Sequence, residues 1–195
     1  CRDLTKSYQG FTLDHITFTL PAGCILGLVG ENGAGKSTLI KIITGYYRRD
    51  PGAGEFYFDG KAVNPRNTDE AQRLGISTIF QELNLSPFLS VAENIYLGNT
   101  PKKNGMIDWD TMNKNARAAL LELGVDIDVT AQLSMQSTAI QQMVSIARAL
   151  SRNTKLLIMD EATSSLDTGE VKVLFDVVKG LKQKGISTIF VTHKM

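Results

Sequence analysis

Long apolar stretches are missing from this chain: no run approaches the about eighteen residues that a membrane-spanning helix needs. The opening CRDLTKSYQG also lacks the apolar centre of a signal peptide. A membrane role is therefore expected to run through partners. Cysteine is scarce, with Cys24 in an expected buried strand and Cys1 at a terminus. That excludes a disulfide framework and makes a reducing compartment the simplest reading. Neither sign of charge dominates: 21 Lys and Arg stand against 20 Asp and Glu, and no basic stripe gives an electrostatic reason to expect nucleic acid. Internal repeats and low-complexity tracts are absent too. The string GISTIF occurs at 75–80 and 185–190, but its flanks differ, so it reads as two similar buried strands. What is present is a chain of 195 residues, 43% hydrophobic and 21% charged, enough for one sizeable core or one core with a smaller satellite. Both ends look cut, and 1–195 is expected to be one domain truncated at each end.

The most informative stretch is GENGAGKST, formed by Gly30, Glu31, Asn32, Gly33, Ala34, Gly35, Lys36, Ser37 and Thr38. It follows the apolar run CILGLV and precedes LIKII, which reads as strand, tight loop, helix. Such a loop points successive backbone N–H groups into one concavity at a helix N-terminus, where free amides and the helix dipole favour an anion. Gly30 and Gly35 frame the G-x-x-x-x-G-K-[ST] pattern, where side chains would block close backbone approach or unusual dihedrals. The expected guest is a polyphosphate.

Around this loop the chain alternates. HITFTL reads as a strand, PAG as a turn and CILGLVG as a strand buried on both faces. RRDPGAGE is a turn into the hairpin strand EFYFDG, and the runs at 76–80, 155–160 and 186–193 read as parallel buried strands. Helical spacing recurs in Met112, Ala116, Ala119, Leu120 and Leu123, with Asp108 as N-cap. The same spacing recurs in Ile140, Met143, Val144, Ala147 and Leu150, and again in Val171, Leu174, Val177, Val178 and Leu181. The alternation predicts an α/β fold with a mainly parallel sheet. Residues 1–80 and 151–195 would form the core with a small antiparallel β part, and 82–150, expected to hold helices only, an inserted helical subdomain.

A second cluster of chemistry closes LLIMDEA. Acidic residues at the carboxyl end of a parallel strand sit where α/β sheets bind ligands, so Asp160 can face a magnesium ion beside the phosphates. Glu161 could orient or deprotonate an attacking water.

Taken in order, these motifs resemble the nucleotide-binding domain of an ABC transporter ATPase over nearly the whole chain, which implies a P-loop NTPase core. GENGAGKST resembles Walker A, LLIMDE Walker B, IFQE the Q-loop through Gln81, SSLD the D-loop through Asp167, and FVTH the H-switch through His193. Tyr8 lies where the family's A-loop aromatic stacks on adenine. The signature motif departs from the family's L-S-G-G-Q-Q. Two registers compete, LSMQS from Leu133 and QSTAIQQ from Gln136. Counting back from QQMVSIARAL favours the second, which places Ser137 at the serine, Thr138 and Ala139 in the glycine positions and Gln141 after Ile140. Losing both glycines adds bulk where backbone must approach a phosphate. Ala162, where the family usually has proline, is expected to loosen the chain after Glu161.

The resemblance implies ATP and Mg2+ as ligands. It assigns Lys36 to the β- and γ-phosphates, Ser37, Gln81 and Asp160 to the metal, and Glu161, Gln81 and His193 to catalysis. It implies a second nucleotide-binding domain, on the same chain or in a dimer, and permease subunits at the cytoplasmic face of a membrane. ENIYLG and GMIDWDTMNKNARAALLELG are similar to the first such domain of bacterial simple-sugar importers, which adds a sugar-binding protein as an indirect partner. Two other functions fit the same engine: a soluble ABC ATPase acting on ribosomes or DNA, and a regulatory nucleotide-binding module with little turnover.

Overall fold

A computed structural model describes residues 1–8, 10–50, 52–80, 84–164 and 166–192, with Tyr8 given by its backbone alone. Four parallel strands form the main sheet: β3 (Ile25–Val29), β6 (Ile76–Ile79), β9 (Leu156–Asp160) and β10 (Ser187–Thr192), in the order β3-β10-β9-β6. Leu156 and Ile158 of β9 join one hydrophobic cluster, while Leu157 and Met159 join the other. That is the period of two expected when a strand is buried on both faces. The first cluster is closed by α1 (Lys36–Ile43) and by the antiparallel pair β1 (Leu4–Tyr8) and β2 (Phe11–Ile16). The second is closed by α3 (Val91–Tyr96), α4 (Trp109–Leu121), α5 (Thr138–Leu150) and α6 (Thr168–Gln183).

Two short hairpins complete the strands, β4 (Tyr57–Phe58) with β5 (Lys61–Ala62), and β7 (Lys102–Lys103) with β8 (Met106–Ile107). The remaining helix, α2 (Thr68–Leu74), packs beside β6. Local chemistry sets the helix starts. Asn67, Ser90, Asp108, Ser137 and Asp167 each accept a backbone N–H of their own helix, and Ser90 and Asp167 do so within full capping boxes. Among the α-helices of the described residues α1 alone has no side-chain cap.

The structure differs from the sequence reading in four places. The strand expected at HITFTL is β2, which begins earlier because it pairs with β1; residues 17–20 lie outside it. β3 is not buried on both faces: it is the edge of the sheet, bonded to β10 on one side, and Ile25 and Val29 are 40% and 46% exposed. Cys24 precedes that strand and is a half-buried free thiol. The stretch between β6 and β9 contains the β7–β8 hairpin as well as helices, because Asn104 (φ 52°) and Gly105 (φ 84°) turn the chain back on itself.

Ile146 of α5 is fully buried in the second cluster. Ile146→Ala is expected to lower unfolding free energy by about 2–5 kcal/mol. The same change at the half-exposed Val173 should cost less than about 1 kcal/mol. Urea denaturation of the two variants checks the contrast.

Candidate nucleotide site

The loop that leaves β3 turns at Ala34, whose N–H donates to Glu31 O at 3.2 Å, and enters α1 through Gly35. Gly35 has φ 87° and ψ 3°, a left-handed conformation that L side chains rarely adopt. A Cβ there would also lie 2.8 Å from Phe11 Cζ and 3.0 Å from Leu13 Cδ1. Dihedral and space therefore both require glycine. At Gly33 only the dihedral does, since φ is 86° and the position is open. Gly30 has ordinary dihedrals, and an added Cβ would just touch Ala34 Cβ at 3.4 Å.

Leu39 N–H is the first amide of α1 to find an intrahelical acceptor, Gly35 O at 2.9 Å. Those of Lys36, Ser37 and Thr38 precede it in the turn where a helix leaves its donors unmatched. No side chain caps this tip and no acidic residue stands in its first turn, so the positive end of the dipole is uncompensated. Lys36 folds back over the loop, its Nζ donating to Gly30 O at 2.6 Å and Glu31 O at 2.9 Å. Glu31, Asn32, Gly33, Ala34 and Ser37 are exposed. An ammonium, unmatched amides and an exposed hydroxyl together form a donor set that suits a polyphosphate.

Strand register sets the carboxylates beside this tip. Thr192 lies opposite Val29 and Val191 opposite Asp160, so the loop and Asp160 leave the sheet at the same carboxyl end of its strands. Burial pushes the half-buried Asp160 carboxyl above its ordinary range and the charge of Glu161 pushes it further, while Lys36 and Lys41 oppose both. Asp160 is thus within the electrostatic reach of the loop lysine. Lys41, which the sequence reading did not single out, also lies over the rings of Tyr47 and Tyr46, at 5.3 and 5.7 Å. Helical spacing from Lys36 is too weak a signal to have found it.

Glu161 has φ 52°, a conformation that costs a non-glycine residue about 1–3 kcal/mol. Its N–H donates to Val191 O and its carbonyl accepts from Ser164 N–H, each at 3.0 Å. Ala162 does not loosen the chain here; it is 6% exposed and packed in the second cluster, which anchors the residue after Glu161. Among the described residues no group of three or more acidic, His or Cys side chains gathers. The donor set that is present, Ser37 and Asp160, fits Mg2+, which takes one or two carboxylates and completes its shell with phosphate oxygens and water.

Gln81 and His193 lie outside the described residues, as does the side chain of Tyr8. Their neighbours are placed: Ile79 lies opposite Met159, Thr192 opposite Val29, and Tyr8 opposite Phe11. Ser137 caps α5, its hydroxyl accepting from Ile140 N–H at 3.4 Å, with Thr138 exposed and Ala139 half-buried in the first turn. Gln141 donates back to Gln136 O at 2.9 Å. The other register falls on a 3-10 turn at Leu133–Met135, with Leu133 buried. Asp167 accepts Glu170 N–H at 2.8 Å and caps α6. No hydrogen bond or ion pair among the described residues joins the Ser137 tip to the Lys36 tip.

The sequence pattern of the ABC transporter family matches residues 13–164. A galactofuranose transporter ATP-binding protein of Escherichia coli (strain K12) is 47% identical over 97% of this chain and 38% of the relative. A ribose import ATP-binding protein of Rubrobacter xylanophilus is 47% identical over 100% of this chain and 39% of the relative. An arabinose import ATP-binding protein of Yersinia pestis is 47% identical over 100% and 37%. The chain thus spans well under half the length of these relatives. Among solved structures, a nucleotide-free ATP-binding cassette from an ABC transporter superposes with a TM-score of 0.86 at 27% identity, covering 99% of this chain and 80% of that one. A dimeric post-hydrolysis cassette bound to ADP and Pi gives 0.78 at 25% identity, covering 99% and 87%. With the parallel sheet, the glycine loop and the family pattern in agreement, the chain belongs to the ABC transporter family, as an ATP-binding cassette.

Proposed function

We propose that this chain binds and hydrolyses ATP to power import of a simple sugar through a membrane permease. The observation that carries the reading is the uncapped tip of α1, with Lys36 arched over it and Asp160 in its field. The relatives, ATP-binding proteins of galactofuranose transport and of ribose and arabinose import, support the transport part.

Lys36 would exchange its two carbonyl acceptors for the β- and γ-phosphate oxygens, and the amides of 33–38 would hold the rest of the triphosphate. Ser37, Asp160 and Gln81 would hold Mg2+, which supplies charge neutralisation at the phosphates. Glu161, set off from β9 by its left-handed backbone, would orient or deprotonate the attacking water, with Gln81 and His193 beside the γ-phosphate and Tyr8 on adenine. Ser137, Thr138, Ala139 and Gln141 would meet ATP held by a second nucleotide-binding domain, with Asp167 nearby. In this division of labour 1–80 and 151–195 form the core and 82–150 the helical part. No helix of the described residues is long and apolar enough to cross a membrane, and the reading places the chain peripherally at the cytoplasmic face, against permease subunits served by a sugar-binding protein.

Thr138 and Ala139 in the first turn of α5 keep a second reading in view, a regulatory nucleotide module with little turnover. Turnover of the full-length protein with its partner domain separates the two. Co-purification with permease subunits and ATP-dependent sugar uptake test the import reading against an ATPase working on ribosomes or DNA.

Lys36→Ala should weaken MgATP binding roughly 10- to 100-fold by calorimetry, the loss of a charge-assisted hydrogen bond. Glu161→Gln should leave that affinity intact and lower turnover by roughly 10²- to 10⁴-fold; turnover at the wild-type rate would remove Glu161 from the role. Asp160, raised above the ordinary carboxylate range, must lose a proton to hold a cation. Mg2+ affinity in the presence of nucleotide should therefore fall as pH drops into that raised range and recover above it, and titration of Asp160→Asn should lose this dependence.

A further inference from the structure

The first turn of α1 is fixed from outside the helix. A side-chain cap, the device that sets the other five α-helices of the described residues, would occupy amides that a phosphate needs, and α1 has none. Packing from β2 takes its place. Phe11 Cζ and Leu13 Cδ1 lie 2.8 and 3.0 Å from where a Cβ on Gly35 would stand, so both side chains back the left-handed glycine. The phase of β2 sends them there. Phe11 and Leu13 face inward with Thr12 exposed between them, whereas Asp14 and His15 are both exposed and Ile16 turns inward again. The pairing slips at this point, from Leu4 opposite Ile16 to Lys6 opposite Leu13, a bulge that re-aims the strand. Side chains lock it. Asp3 at φ 54° and His15 at φ 48° are joined through a carboxylate oxygen and Nδ1, while Asp3 N–H donates to Thr17 Oγ1 at 2.8 Å and His15 N–H to Thr5 Oγ1 at 3.2 Å. β1 is tied in turn to the chain leaving α1, where Lys6 Nζ donates to Arg48 O at 3.0 Å and pairs with Asp50. The β1–β2 pair thus grips α1 at both ends.

We propose that Phe11 is a positioning residue for the phosphate loop: its ring fills the space beside Gly35, holds that residue in its left-handed conformation and so keeps the amides of 36–38 aimed at a phosphate. The inference rests on the ATPase reading above and deepens it. Glycine has more backbone conformations open to it than any other residue, so an unsupported Gly35 would have to be ordered each time a phosphate binds, at a cost in affinity. Phe11 removes that cost in advance. Leu13 is buried and Phe11 half-buried, which makes Phe11 the side chain that can be changed with less loss of core. Because it acts on the loop, its effect is common to every nucleoside triphosphate and does not discriminate between bases.

The test uses the full-length protein. Phe11→Ala should weaken MgATP and MgGTP binding alike by calorimetry, each about tenfold, with the ratio of the two affinities held within about twofold of wild type. At saturating MgATP kcat should stay within about twofold, the signature of lost binding that ground and transition states share. Phe11→Leu should lose less than the alanine variant. Without nucleotide, hydrogen exchange should accelerate at Leu39, whose N–H donates to Gly35 O, and stay unchanged at the amides of 156–160. Should the alanine variant fail to fold, Phe11→Val takes its place, with the same common loss expected. Wild-type affinity in the alanine or valine variant, a loss confined to MgATP, or exchange that is unaltered at Leu39 or rises equally at 156–160 overturns the positioning role. Lys36→Ala in the same preparation keeps the two ideas apart: unchanged nucleotide affinity there defeats the ATPase reading, whereas weakened affinity there with wild-type affinity in Phe11→Ala defeats only this one.

Discussion

Everything in the candidate site depends on one helix start that the protein leaves unsatisfied. Five other helices close their first turn with an Asn, Ser or Asp side chain. α1 instead begins on a left-handed glycine with no cap and no acidic neighbour. Unmatched amides at the positive end of a helix are unfavourable in isolation and favourable beside an anion. The glycine is held by what surrounds it, since Phe11 and Leu13 of β2 occupy the space a Cβ would need. The antiparallel strands thereby shape a loop to which they contribute no donor.

The parallel sheet turns that tip into a site. Register alone brings Val29, Asp160 and Thr192 to one end of the sheet, so Lys36 and Asp160, 124 residues apart in the chain, share one electrostatic field. Asp160 shows the consequence: burial and Glu161 disfavour its charge while two lysines of α1 favour it. Carboxylates so balanced are suited to exchanging a proton for a cation. Glu161 carries backbone strain at the same end of the sheet, and buried Ala162 beside it helps to keep that conformation.

A second tip, at Ser137, shares no hydrogen bond or ion pair with the first among the described residues. Its cap is satisfied within α5, and Thr138 and Ala139 give its first turn more bulk than two glycines would. The described contacts run from this tip through residues 132–134 to the segment after Gln81, and from the far end of α5 through Arg148 to Asn84.

Much of this was legible in the amino-acid order. Strand, glycine loop and helix follow from local pattern, as do the start of α4 at Asp108 and the apolar faces of α4, α5 and α6, because backbone dihedrals, caps and helical spacing are decided by nearest neighbours. The order of the strands, the exposed edge of β3, the early start of β2 and the 102–107 hairpin were not, since each depends on which distant segment pairs with which. The same holds for the raised carboxyl of Asp160, the left-handed Glu161, the burial of Ala162 and the bond from Arg148 to Asn84. Local sequence determines what a residue can do; burial, register and the charges of remote neighbours, which exist only once the chain has closed on itself, decide which of those things it does.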